Sequence, residues 1–144
     1  MQKVIAVFVA STILTGATAA SALQPIPLYL VENATSKPEY KAFATQVVAL
    51  DSQCSVCHIP KANKKAKGHG LNDFGLAFHK HLDDGAFKKA HEAKAEEAKY
   101  SDDAMKIFLT AWEKVQSDKN AEGTTFGELI MDGKLPGKNP TPPQ

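Results

Sequence analysis

The stretch Cys54-Ser55-Val56-Cys57-His58 decides the fold: two thiols are separated by two residues and followed at once by an imidazole. Upstream of it, apolar residues recur at spacings of three and four, which is one face of a helix, at Tyr40, Phe43, Val47, Leu50 and Cys54. This pattern predicts a helix from about Pro38 into the cysteine motif, and Ser36-Lys37-Pro38-Glu39 has the capping-box pattern of a helix start. The face that meets the core therefore also carries the first thiol.

The spacing of the two thiols has a chemical consequence. Residues three apart on a helical turn lie on nearly one face, about 5–6 Å from each other, which suits bonds to the two vinyl groups of one porphyrin. C-x-x-C-H is the attachment signature of c-type haem. We therefore expect Cys54 and Cys57 to hold one covalent haem c, and His58 to bind its iron as the proximal ligand.

Two other interpretations use the same sulfurs. A thioredoxin-like redox pair needs βαβ surroundings, which the sequence pattern does not show. Half of a zinc site needs two further ligands, and His69 and His79 are available to complete it. The haem interpretation is favoured because the motif, the adjoining histidine and the export signal described next agree with one another.

The first 22 residues have the features of a secretory signal peptide. A short positive start, Met1-Gln2-Lys3, precedes the apolar run from Val4 to Leu14, and two Ala-x-Ala sites end at Ala19 and Ala22. The apolar run is too short for a permanent membrane anchor. We expect cleavage after Ala22, or after Ala19 as the second choice, and a periplasmic or otherwise exported protein with no integral membrane segment.

The net charge of the mature chain bears on its partners, and its cysteine content bears on its cofactor. Removal of residues 1–22 takes away one of the 17 basic residues, Lys3, and none of the 16 acidic ones, so the mature chain has a formal charge of zero. Such a balance argues against nucleic acid and against an anionic membrane as main partners. The chain has only 2 cysteines, and one haem would use both.

The remainder of the mature chain shows helical patterns and no useful strand pattern. Leu71 to Leu82 has one apolar side, and Asp83-Asp84-Gly85 opens a charged helical stretch that continues to residue 100. Ser101-Asp102-Asp103 is a capped helix start, followed on one face by Met105, Phe108, Trp112 and Val115. A last short helix, Thr125 to Met131, is expected to stop at Gly133 in the left-handed conformation.

Two further sequence elements follow the cysteine motif. After the motif come a Lys-rich stretch with Pro60 and then His69-Gly70-Leu71-Asn72-Asp73-Phe74-Gly75, which contains Leu-Asn-x-x-Gly. Near the end stand Thr125-Phe126-Gly127-Glu128-Leu129-Ile130 and Gly133-Lys134-Leu135-Pro136-Gly137. Together these elements resemble small bacterial periplasmic mono-haem cytochromes c. The resemblance implies a covalent haem c, periplasmic assembly and electron transfer, and it supplies neither a partner nor the second iron ligand.

Six residues compete for the iron position opposite His58: His69, His79, His81, His91, Met105 and Met131. His69 is favoured, because it lies in a Gly-flanked loop eleven positions after His58 that can fold back over the porphyrin. Met131 is the second choice, because it stands near the end of a late helix. An empty sixth position is the remaining alternative, and it would favour binding of a small gas over electron transfer.

The other four candidates have competing roles. Met105 fits the core face of its helix, and at most one of His79 and His81 is expected to face inward. His91 lies in a highly charged helix and is expected to be exposed. Four aromatic residues are expected to line the haem pocket, to form the core, or both: Phe74, Phe78, Phe108 and Trp112. The lysines between residues 61 and 67 either steer an acidic redox partner or are simply solvated.

The sequence thus predicts an all-α protein, a small cytochrome-c-like helical domain around one covalent haem. The haem domain occupies residues 37–133, after a signal peptide at 1–22 and an extended arm at 23–36 indicated by two prolines, and before an irregular tail at 134–144. The expected function is one-electron transfer by a monomer with protein redox partners and without enzymatic turnover, since no nucleophile–base pair is recognisable. The alternatives are a haem-based gas or redox sensor and, less favoured, a structural zinc or thiol protein.

Overall fold

Helices account for nearly all regular structure in the residues that the computed structural model describes, which are 25–59, 70–93 and 100–138. Their bounds are α1 Ile26–Ser36, a first 3-10 helix Pro38–Tyr40, α2 Lys41–Val48, a second 3-10 helix Gln53–Val56, α3 Asp73–His81, α4 Asp84–Glu92, α5 Asp102–Val115 and α6 Phe126–Met131. The strand-like pairing in these residues is limited to two isolated bridges, His58 with Leu71 and Lys119 with Thr125. The all-α prediction is confirmed. The predicted signal peptide, the lysines at 61–67 and the last six residues lie outside the described part of the chain.

The predicted extended arm at 23–36 is wrong for its described portion, because Ile26–Ser36 is the helix α1. Both prolines stand at the start of this helix, Pro25 at the N-cap and Pro27 within the first turn. Proline is tolerated there because the first N–H groups of a helix have no acceptor within the helix, so the missing N–H breaks no helical hydrogen bond. Beyond Pro27 the segment is free of prolines, and Tyr29 and Leu30 are buried in the core.

The predicted continuous helix from Pro38 into the cysteine motif is also wrong, because it is broken twice. Pro38 begins a single 3-10 turn without a side-chain cap, so the predicted capping box at Ser36 does not form. α2 then ends at Val48, and Ser52 is extended, with φ −146° and ψ 122°. Asp51 and Ser52 are residue types whose side chains compete with the helical backbone. Because of this break, the cysteine motif is not a continuation of α2.

The later helices begin within two residues of their predicted starts; α3, predicted from Leu71, begins at Asp73. The side chains of Asn72, Asp83, Ser101 and Thr125 each accept a hydrogen bond from a backbone N–H of the first turn they precede. α6 starts with a complete capping box between Thr125 and Glu128, and Gly133 follows it with φ 70°. α4 ends at Glu92, so the predicted charged helix is confirmed only to that point, and residues 94–99 lie outside the described ranges.

The core is organised around α5, which packs most extensively against α3 and α4 and also meets α1. Trp112 is fully buried, and its ring stacks on Phe108 at a centroid distance of 5.9 Å. Tyr40 and Phe74 present edges to the same indole at 6.0 and 6.1 Å. The four predicted aromatic core residues are thus buried together. Across the described residues, no helix has both the length and the apolar character needed to cross a membrane.

Candidate functional site

The cysteine motif forms a tight turn, which we call the cysteine turn (residues 53–58). The backbone N–H groups of Cys57 and His58 both donate to the carbonyl oxygen of Cys54, at 3.1 and 2.9 Å. This bonding places the two thiols one turn apart with the imidazole directly after the second. Both cysteines are free. The predicted spacing of the site is therefore present, on a 3-10 turn rather than on the end of α2.

The start of α3 holds this turn through Asn72. The Asn72 backbone N–H donates to the carbonyl oxygen of Cys57 at 2.8 Å, and its side-chain Nδ2 donates to the carbonyl oxygen of Val56 at 2.9 Å. Its Oδ1 accepts from the N–H of Gly75 at 2.8 Å, which caps α3. Asn72 is only 1% exposed. One buried amide therefore both starts the helix and ties it to the cysteine turn.

Two neighbours of Asn72 complete the connection. Leu71 pairs with His58 in an antiparallel bridge, and the N–H of Ile59 donates to the carbonyl oxygen of Gly70 at 2.7 Å. Gly75 lies so close to the Cys57 carbonyl that a Cβ there would collide with it. Each fixed position of the Leu-Asn-x-x-Gly element thus contacts the cysteine turn, a role that the sequence resemblance did not reveal.

The segment after Gly133 also reaches this region. The N–H of Lys138 donates to Oδ1 of Asp73 at 2.7 Å, and the same oxygen accepts from the N–H of Phe74 at 2.9 Å. Gly137 lies directly against the Asn72 side-chain amide, where a Cβ would clash. Residues 134–138 are irregular, as predicted for the tail, but they pack over the Asn72 amide. The three separated sequence elements therefore meet in one place.

The two thiols differ in their surroundings. Cys57 belongs to the core and is 9% exposed, whereas Cys54 is partly exposed. Burial raises the pKa of the Cys57 thiol from its usual value of 9.0 to about 12, and the nearby Cys54 adds to this effect. Reactive thiols have lowered pKa values instead. The surroundings of Cys57 therefore favour a neutral sulfur.

The two favoured candidates for the second iron ligand are not brought to the site by any described contact. His69 lies outside the described residues, although Gly70, its neighbour in the chain, is bonded to Ile59 beside the cysteine turn. Met131 is described and is 55% exposed at the end of α6. Met105 is partly buried and packs against the core, as predicted.

The remaining histidines have partners elsewhere. His79 Nδ1 lies 3.1 Å from Asp84 Oδ2, and His81 Nε2 lies 2.8 Å from Asp118 Oδ2. The prediction that His91 is exposed is wrong: it is partly buried, with Nδ1 2.9 Å from the hydroxyl of Tyr29. It was missed because α4 packs on α5, which places His91 beside the buried Tyr29.

The zinc interpretation gains no geometric support. No group of three or more histidine, cysteine or acidic side chains in the described part of the chain is arranged to hold a metal ion. His79, which that interpretation needs, is engaged with Asp84.

Comparisons with known proteins return no relative. No family model matches the chain, and no curated protein and no solved structure matches it. The function therefore has to be argued from the chemistry of the site.

Proposed function

We propose that this protein is an exported mono-haem c-type cytochrome that carries single electrons. Cys54 and Cys57 would attach the haem through thioether bonds, and His58 would bind the iron. The observation that carries the proposal is the cysteine turn, in which two free thiols stand one turn apart with the imidazole next to the second. Bound haem would supply an iron centre that gains and loses one electron.

The chemistry of the donor set fits this group. A thioether sulfur carries no charge and no proton, so it is compatible with the apolar surroundings of Cys57. A thiolate in the same place is disfavoured, as the pKa of about 12 indicates. The same burial argues against a reactive dithiol, which was one of the competing interpretations.

The unequal exposure of the two cysteines fits electron transfer. Cys57 would hold a haem from the core side of the turn, and Cys54 would hold it from the partly exposed side. Electron exchange with another protein requires an accessible haem edge, and apolar side chains on the core side would lower the dielectric around a bound haem. The residues of this chain would bind and orient the haem and leave the redox chemistry to the iron.

The test is to produce the full chain in a host that exports proteins and attaches haem c. We expect the mature protein to carry the mass of one haem, to resist extraction of that haem by acidic organic solvent, and to undergo reversible one-electron reduction. The double substitution Cys54→Ser and Cys57→Ser should abolish covalent attachment. Lys106→Gln, a change of an exposed lysine on α5, is the control and should retain the haem. A colourless wild-type protein of unmodified mass would refute the proposal.

A haem-based gas sensor is a second candidate function, favoured by one observation. Three of the candidate second ligands, His79, His81 and His91, already have hydrogen-bond partners. If no other residue binds the iron, the sixth position stays open. Rapid uptake of carbon monoxide by the reduced protein would support the sensor, whereas a six-coordinate spectrum in both oxidation states would support the electron carrier.

A further inference from the structure

A groove unrelated to the cysteine turn runs along the surface where the end of α1 meets the start of α2. It has a volume of about 610 Å³, which falls in the size range of small-molecule sites. Its floor is made by two buried alanines, Ala34 on α1 and Ala44 on α2. These small side chains leave space between the two helices, and Pro38 and Val48 form part of the walls.

Val48 is an exposed apolar side chain of this groove. It is 57% exposed, one of three large apolar side chains that are this exposed among the described residues. Phe43, Ala44 and Val47 of α2 are buried, whereas Val48 lies off this face and lines the groove. Val48 thus adds apolar surface to a groove whose floor is also apolar, and ligand sites are lined predominantly by apolar side chains with a few polar groups.

The charges at the groove are all of one sign. Lys37 and Lys41 line it, and no aspartate or glutamate does. The Lys37 ammonium lies 5.3 Å from the centre of the Tyr40 ring, and this cation–π contact keeps it near the groove. Neither lysine pairs with a carboxylate of the described residues. Glu39, which stands between them in the chain, is exposed and does not line the groove.

We propose that this groove binds a free aliphatic carboxylate, with the chain of the ligand against Ala34, Ala44 and Val48 and its carboxylate at Lys37 and Lys41. An aliphatic chain is favoured over an aromatic body because no aromatic side chain lines the groove. The carboxylate follows from the two lysines that line the groove, neither of which pairs with a carboxylate of the described residues. The proposal does not depend on the haem.

The experiment is titration of the purified full-length mature protein with decanoate below its micelle concentration, followed by calorimetry and by amide chemical shifts. We expect saturable one-site binding with shifts concentrated in α1 and α2, and weaker binding of decanol. Val48→Asp should reduce decanoate affinity at least tenfold, because it removes one apolar contact and adds a negative charge that repels the carboxylate. Leu76→Asp is the matched control, since Leu76 is 55% exposed on α3, and it should leave the affinity unchanged.

The lysines are tested separately from the apolar wall. The double variant Lys37→Gln and Lys41→Gln should weaken decanoate binding roughly two- to fivefold, as expected for exposed charge pairs, and leave decanol binding unchanged. Equal binding of decanoate and decanol to the wild type, or equal loss in Val48→Asp and Leu76→Asp, would overturn the proposal. Binding to phosphatidylglycerol vesicles without binding of free decanoate would also overturn it, because the surface would then recognise a membrane.

Discussion

Gly75→Ala is expected to destabilise the protein even though alanine is the better helix former. Gly75 is the third residue of α3, so in an isolated helix the change would stabilise by about 0.5–1 kcal/mol. In the structure, however, the new Cβ would collide with the carbonyl oxygen of Cys57, would lie 3.0 Å from the carbonyl carbon, and would lie 3.1 Å from Cδ2 of Leu71. The first two of these atoms are backbone and cannot rotate away.

The net change in stability depends on whether the clash or the gain in helix propensity is larger. Overpacking at a rigid contact costs about 1–3 kcal/mol, which exceeds the gain in helix propensity. To relieve the clash, α3 must move away from the cysteine turn, and this movement lengthens the 2.8 Å hydrogen bond from Asn72 to Cys57. We therefore expect a net loss of roughly 1–2 kcal/mol in the free energy of unfolding.

Urea denaturation of the mature protein, followed by tryptophan fluorescence, measures this change. With an m-value of about 2 kcal/mol/M, the midpoint should fall by roughly 0.5–1 M. Gly85→Ala is the matched control, because Gly85 is an exposed early residue of α4 whose added Cβ would meet only Asp83 Oδ1 at 3.5 Å. That control should be stabilised by about 0.5–1 kcal/mol. If Gly75→Ala raised the midpoint as the control does, α3 would not pack on the cysteine turn and the description of the site would be wrong.

Four further predictions test other parts of the same structure. Asn72→Ala should lower the free energy of unfolding in urea by about 2–4 kcal/mol, because it removes a helix cap and leaves a buried carbonyl of the cysteine turn without its donor. A loss under 1 kcal/mol would contradict the geometry. Tyr29→Phe should cost about 1–3 kcal/mol, because the buried N–H of Ser101 donates to the Tyr29 hydroxyl at 2.9 Å and would lose its acceptor. In haem-free protein, Cys57 should react with iodoacetamide far more slowly than Cys54, since roughly one Cys57 thiol in ten thousand is ionised at pH 8 when its pKa is about 12; equal rates in the folded state would refute the burial argument. Because folding raises this pKa from 9.0 to about 12, the unfolded chain loses the proton first. This thiol should therefore leave the free energy of unfolding of the haem-free protein unchanged below about pH 9 and should lower it progressively between pH 9 and 12.

The helices that were predicted correctly are those whose signals are local. Asp83, Ser101 and Thr125 each precede their helix by one residue, and the side chain that caps the helix is visible in the sequence. Gly133 ends α6 for an equally local reason, its positive φ. The core face of α5 also follows from spacing alone, which is why the burial of Phe108 and Trp112 was predictable.

The wrong predictions concern places where a local signal has two meanings. The prolines at 25 and 27 fit an extended arm as well as the first turn of a helix, and only burial of Tyr29 against Phe87 and Phe108 decides for the helix. The stripe from Tyr40 to Cys54 has helical spacing throughout, yet the chain leaves the helix after Val48. Periodicity reports which side chains point to the core, and it cannot show that the backbone between them is continuous.

The cysteine turn illustrates the same limit for the site. Its chemistry is readable from five consecutive residues, but its support comes from contacts between residues far apart in the chain: 16 positions from Asn72 to Val56 and 65 from Lys138 to Asp73. A four-residue 3-10 helix has too few hydrogen bonds to hold one geometry by itself. An iron ligand must nevertheless be held within about 0.5 Å of its working position. The amide of Asn72 supplies the missing support, because the side chain that starts α3 also binds the carbonyl of Val56 beside the second thiol. The tail packs over that amide. The proposed haem-binding role would give this support a purpose, since a ligand residue has to be held in place.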